Sequence, residues 1–216
     1  MTTPETQMNS DLPIVLATRN EGKISEFKIL LQTFDVEIMS LKDFGPIPTV
    51  EEDGQNFEDN AVKKAQFTAR VLGFPAFADD SGLVVKALNG LPGAHSARYA
   101  GENATDEENN FKLLKAMEGV ENREAFFMCV LAIAVPSGPA LIYEGTCEGV
   151  ITESLIGNQG FGYDPLFHNQ TLNKTFAQMS IEEKNRVSHR GKAMAEFRDE
   201  FGKVLIWLRQ RLGEAR

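Results

Sequence analysis

Cysteine, histidine and tryptophan are scarce in this chain, at two, three and one among 216 residues. Cys129 and Cys147 form no CxxC pattern, so there is neither a disulfide framework nor a zinc site, and both lie in apolar stretches that suit reduced core thiols. His95 and His168 have no partners at metal-ligand spacing and read as ordinary loop or packing residues. Positive charge is also short: the formal net charge of −9 repels a nucleic-acid backbone, so nucleic-acid modules are disfavoured and an anionic substrate must be met by a local cluster of cations. No apolar run approaches the roughly 18 residues needed to span a bilayer. Residues 1–12 are polar and lack the basic and apolar regions of a signal peptide. These shortages predict a cytoplasmic protein without membrane or nucleic-acid partners, with a loosely held tail over residues 1–12 and a single domain over 13–216.

What is present reads as alternating strands and helices. Residues 13–18 (PIVLAT) form a short apolar run suited to a strand buried on both faces. Residues 23–33 then place Ile24, Phe27, Ile29, Leu30 and Leu31 on one broad helical stripe. A strand over 34–40 and a loop over 41–55 follow. A second helix over 56–72 repeats Phe57, Ala61, Ala65, Thr68 and Leu72 at helical spacing, and Gly73 stops it. Asp79-Asp80-Ser81-Gly82 carries turn-forming residue types between apolar segments, which predicts two strands joined tightly. Thr105 and Glu108 make a capping box ahead of a helix with Phe111, Leu114 and Met117. Residues 125–135 and 140–147, separated by Pro-Ser-Gly-Pro, predict an antiparallel hairpin. Ser180 with Glu183 makes another capping box, and Ser188 can cap a long final helix. The order is that of an α/β protein with a mixed sheet flanked by helices.

Several of these junctions carry residues that suit chemistry. Thr18-Arg19-Asn20-Glu21-Gly22-Lys23 joins a buried strand to a helix, a geometry that aims free N–H groups and a lysine at one point and binds phosphate. It is not a P-loop, since GxxxxGK[ST] needs glycine at Ala17 and a hydroxyl at Ile24, and an ordinary βα turn accounts for it equally well. Glu51, Glu52 and Asp53 in one loop, and Asp79 and Asp80 in another segment, are two carboxylate groups able to converge on a hard cation, or are simply solvated surface. Adjacent carboxylates gain from a nearby metal or lysine, and Lys64, one turn after Asn60, is a candidate for that lysine. Phe161-Gly162-Tyr163-Asp164 offers two rings and a carboxylate to a base, or forms a tight structural turn. Lys184, His189 and Arg190 gather potential cations around the start of the last helix.

Taken together, ATRNEGKISEF (17–27), EEDGQNFEDNAVKKA (51–65), FADDSGLVV (77–85), LPGAHSARYAG (91–101), GFGYDPLF (160–167) and EEKNRVSHRGKA (182–193) resemble the inosine triphosphate pyrophosphatases, the Ham1-like family of non-canonical purine nucleotide hydrolases. The resemblance implies a homodimer whose subunits carry a long mixed sheet and an active-site cleft between two lobes. It implies that Thr18, Arg19, Asn20, Glu21, Gly22 and Lys23 hold a triphosphate, that Glu52 and Asp80 hold Mg2+, and that Asp80 is also the proton acceptor. Ser81 then touches a purine nucleoside triphosphate, Phe161, Gly162, Tyr163 and Asp164 clamp its base and sugar, and Lys184, His189 and Arg190 complete the site; outside that carried-over set, Lys64 and Arg98 are further candidates for support. Arg19 occupies a variable position, and residues 1–12 have no counterpart in the pattern. A small kinase, a non-catalytic nucleotide-binding protein and a Maf-like pyrophosphatase are the competing readings.

Overall fold

The computed structural model describes residues 12–34, 36–48, 50, 54 and 56–214. Strand β1 (Leu12–Leu16) buries Ile14, Val15 and Leu16 completely, as a run with no polar alternation must. It pairs in parallel with β2 (Val36–Ser40) on one side and with the first residues of β3 (Ala76–Val85) on the other. Beyond β3 every pairing is antiparallel: β4 (Glu124–Ala134), β5 (Ala140–Ile151), β6 (Phe167–Asn169) and β7 (Lys174–Thr175) complete the order β2-β1-β3-β4-β5-β6-β7. The expected mixed sheet flanked by helices is what forms, and the hairpin turns where expected, with Ala134 opposite Ala140. Among the described residues no helix is long and apolar enough to cross a membrane.

Helices cover both faces of the parallel end. Helix α1 (Glu21–Leu31), capped by Asn20, packs Phe27 edge-on against Phe77 at 4.3 Å. It shares one core with α5 (His189–Glu214), which contributes Phe197, Phe201 and Leu208. On the opposite face α2 (Phe57–Leu72) presents Ala61, Ala65 and Ala69 to Ala76, Ala78, Ala132 and Ala134. A second core forms at the far end of the long strands from Leu83, Val85, Phe127, Ile151 and Phe167, closed by α3 (Asp106–Ala116) through Leu113. Phe111 is 70% exposed, because the buried face of α3 runs through Asn109, Asn110 and Leu113 instead.

The tetrapeptide Asp79-Asp80-Ser81-Gly82 is not a turn. All four residues lie within β3 and pair with residues 128–131 of β4. Gly82 is needed for packing: a Cβ there would stand 2.5 Å from Gly93 O and from Ser96 Oγ. Asp79 and Ser81 interrupt the apolar stripe of one strand face between Phe77 and Leu83. Phe77 belongs to the first core and Leu83 to the second, so the sheet is polar where its two cores part.

Close contact between α5 and β5 fixes the start of α5. A Cβ on Gly145 would lie 2.1 Å from His189 O and 2.7 Å from Ala193 N, both backbone atoms. Gly145→Ala is therefore expected to lower unfolding free energy by about 2–3 kcal/mol through overpacking, as read by urea denaturation; a loss within error of zero would mean that α5 is free to shift.

Candidate functional site

The polar break in the sheet opens into a cleft of about 600 Å³. Strand β1 pairs with β3 only at Ala76 and Phe77, so the β3 edge that follows is open toward Lys23, and Lys23, Lys64, Asp80, Ser81 and Arg190 all line the cleft. Asp79 is 5% exposed and bridges two elements, its Oδ1 2.7 Å from Lys23 Nζ and its Oδ2 3.1 Å from Arg190. Burial pushes the Asp79 carboxyl up, but Lys23 and Arg190 outweigh it and hold the group far below the usual carboxylate range.

Asp80 points to the other side of the strand, toward α2. Its Oδ1 lies 3.0 Å from Lys64 Nζ, and its Oδ2 accepts from Asn60 Nδ2 at 3.2 Å. Asn60 and Lys64 stand one turn apart on α2, so a single helix face supplies both donors. Asn60 Oδ1 in turn accepts the Gly54 N–H at 2.9 Å. Glu52, like Glu51 and Asp53, lies outside the described residues, among which no three His, Cys, Asp or Glu side chains gather as a metal cluster.

The cleft also has an aromatic side, and the Arg190 guanidinium lies 5.8 Å from the Phe161 ring centre. The His189 ring stacks on Phe127 at 4.6 Å, and Phe176 lies parallel to Phe127 at 5.7 Å. Phe161 is 57% exposed at the rim, with Lys184 Nζ 4.8 Å from its ring centre. Lys184 also pairs with the buried Asp164 at 2.5 Å, and Asp164 accepts the Phe161 N–H at 3.0 Å. Tyr163 is a buried anchor: its hydroxyl donates to Ser96 O at 2.9 Å. Ser188, extended between α4 (Ile181–Val187) and α5, accepts the Gly191 N–H on its hydroxyl and so starts the helix that carries His189 and Arg190.

His189 is itself buried, and among the described residues its Nδ1 has no hydrogen-bond partner. Burial, with Arg190 and Lys184 nearby, holds the imidazole well below its ordinary pKa. The unfolded chain protonates this histidine below about pH 6.5 while the folded chain does not, so the folded state loses stability as pH falls, with a slope that approaches about 1.4 kcal/mol per pH unit well below that value. His189→Phe keeps the stacking and is expected to flatten the fall between pH 6.5 and 5.5, as measured by urea denaturation; parallel profiles for the two proteins would contradict this.

Not every expected residue reaches the cleft. Lys23, Lys64, Asp80, Ser81, residues 161–164, Lys184, His189 and Arg190 line it. Thr18 and Asn20 instead shape the βα turn, where Thr18 Oγ1 accepts the Asn20 N–H and Asn20 Oδ1 accepts the Lys23 N–H. Gly22 lies in the first turn of α1, Arg19 is exposed, and Glu21 pairs with Lys42. Arg98 is outside the cleft lining and pairs with Glu102 at 3.7 Å. Sequence reasoning grouped Asp79 with Asp80 as a carboxylate pair for a cation, although strand alternation separates the two and Asp79 pairs with Lys23 and Arg190, and it assigned no role to Asp106, which lines the cleft from α3.

A mixed sheet whose long strands carry a cation-lined, partly aromatic cleft between two cores defines an α/β protein suited to an anionic ligand that also carries a flat ring. The model of the Ham1 family matches residues 14–200, and the chain belongs to that family. It is 60% identical over 201 residues to a protein of Syntrophobacter fumaroxidans named dITP/XTP pyrophosphatase, covering 93% of this chain and 87% of the relative. A Geobacter sulfurreducens protein of the same name is 50% identical over 191 residues, covering 88% and 96%. Among solved structures, the HAM1 protein of Coxiella burnetii superposes with a TM-score of 0.85 at 40% identity, covering 89% of this chain and 99% of that one.

Proposed function

We propose that the cleft binds non-canonical purine nucleoside triphosphates, ITP, dITP and XTP, and hydrolyses them to the monophosphate and pyrophosphate, a hydrolysis of phosphoric anhydrides that cleanses the nucleotide pool. The observation that carries this reading is a single cleft lined by Lys23, Lys64, Asp80 and Arg190 together with the rings of Phe127, Phe161 and Phe176. Relatives named dITP/XTP pyrophosphatase at up to 60% identity support the same chemistry.

Lys23 and Arg190, preset by Asp79, meet the phosphate oxygens. The donors fit a magnesium site, since Mg2+ takes one or two carboxylates together with substrate phosphates. Asp80 supplies one carboxylate on the cleft wall, and Glu52, outside the described residues, is the other that the family pattern implies. When bound, the metal offsets phosphate charge and polarises the phosphoryl group. Asp80 accepts from Asn60 and Lys64 of α2, which orient its carboxylate, and that carboxylate is the group that takes the proton of an attacking water. Phe161 stacks on the base. A donor facing the 6-keto oxygen of hypoxanthine or xanthine meets a second donor in adenine, which costs a few kcal/mol.

The family pattern also supports a cytoplasmic homodimer, which sedimentation velocity checks. Pyrophosphate release from ITP, dITP, XTP, GTP and ATP in magnesium buffer tests the function: the first three are expected to turn over at far higher kcat/KM, and equal rates on all five would overturn the base preference.

A further inference from the structure

The Phe161 arm is a short turn in which Phe161 O accepts the Asp164 N–H at 3.2 Å. Gly160 and Gly162, on either side of the ring, both sit at positive φ, +79° and +60°, where glycine moves freely and other residues do not. On one side the arm is tied by Asp164, which accepts the Phe161 N–H. The other tie comes from α3. Asp106 Oδ2 accepts the Gly162 N–H at 2.6 Å, and Asn110 Nδ2 donates to Gly162 O at 2.8 Å. Asp106 and Asn110 are one turn apart, so one helix face grips both sides of a single glycine. The N-terminus of α3 does not depend on Asp106, because Thr105 and Glu108 form its capping box.

We infer that Asp106 and Asn110 are positioning residues which fix Phe161 over the cleft and thereby set how strictly the purine base is selected; this rests on the cleft being a nucleoside triphosphate site. A ring held at one height leaves a slot of defined width and orientation, in which hydrogen-bond donors meet the base edge at fixed positions. With the Gly162 peptide released, the two glycines act as hinges, the slot widens, and a base with a misplaced amino group settles at lower cost. Asp80 and its α2 donors take no part in this grip, and Arg190, whose guanidinium lies 5.8 Å from the Phe161 ring centre, is held separately by Asp79. Loss of the grip therefore weakens substrate binding and discrimination more than the chemical step.

The test compares wild type, Asp106→Ala and Asp106→Asn, since asparagine keeps an acceptor oxygen for the Gly162 N–H. For Asp106→Ala the KM for ITP is expected to rise about tenfold, the kcat to stay within about threefold, and the ITP-to-GTP ratio of kcat/KM to fall about fivefold or more. Asp106→Asn is expected within about twofold of wild type on all three. Hydrogen–deuterium exchange of a peptide spanning residues 158–165, without nucleotide, is expected to quicken in Asp106→Ala and not in Asp106→Asn. Wild-type KM and selectivity in Asp106→Ala, or equal losses in both variants, would overturn the inference. Failure of wild type to hydrolyse ITP would remove the functional reading and the role in base selection with it; the exchange comparison then decides separately whether α3 holds the arm.

Discussion

Asp80→Asn is expected to lower kcat on ITP by about a thousandfold, within the range that a positioned general base contributes. The amide is nearly the size of the carboxylate and still accepts from Lys64 or Asn60, so the strand and α2 keep their packing. It neither takes a proton from water nor holds a divalent ion well. The melting temperature should therefore stay close to that of wild type, and the KM should change far less than kcat. Steady-state kinetics and calorimetry on one preparation check both halves. Turnover within tenfold of wild type would remove Asp80 from the reaction.

The second large effect belongs to the neighbouring carboxylate and is of a different kind. Asp79→Ala leaves Lys23 and Arg190 facing each other across a buried site, with side chains only 24% and 11% exposed. Breaking a buried ion pair by removing one member typically costs about 3–5 kcal/mol. Urea denaturation is expected to show a loss of that order, accompanied by a raised KM for the triphosphate because both cations lose their preset positions. The pH dependence has a definite sign. The folded-state pKa of Asp79 is depressed, so its stabilisation is complete above the unfolded value of about 3.9 and is lost as pH falls toward the folded one. The gap between wild type and Asp79→Ala should thus be full at pH 7 and begin to narrow only below about pH 4. A gap that closes between pH 7 and 5 would mean that Asp79 is not held ionised by its two cations.

Much of this architecture follows from local signals. The run at residues 13–18, the alanine spacing of α2, the Pro-Ser-Gly-Pro hairpin and both capping boxes are short-range patterns with short-range causes, and they appear where expected. The misreading of residues 79–82 has a tertiary cause. Asp, Ser and Gly favour turns in isolation, but here a ten-residue strand runs through them because β4 pairs along their length and the segment at Gly93 and Ser96 packs onto Gly82. Phe111 is left exposed for a related reason: α3 turns polar residues inward to hold other segments, Asn109 by accepting the Ala100 N–H and Asn110 by donating to Gly162 O. The cationic end of the cleft was legible as separate clusters, but not the pairing of Lys23 with Arg190 through Asp79. That contact joins positions 111 residues apart in sequence, and no spacing rule reaches so far.

Product analysis tests the central claim most directly. ITP incubated with the enzyme and magnesium, then resolved by ion-exchange chromatography, should yield inosine monophosphate and pyrophosphate in equal amounts. Inosine diphosphate with orthophosphate, or unchanged ITP bound without turnover, would contradict the account.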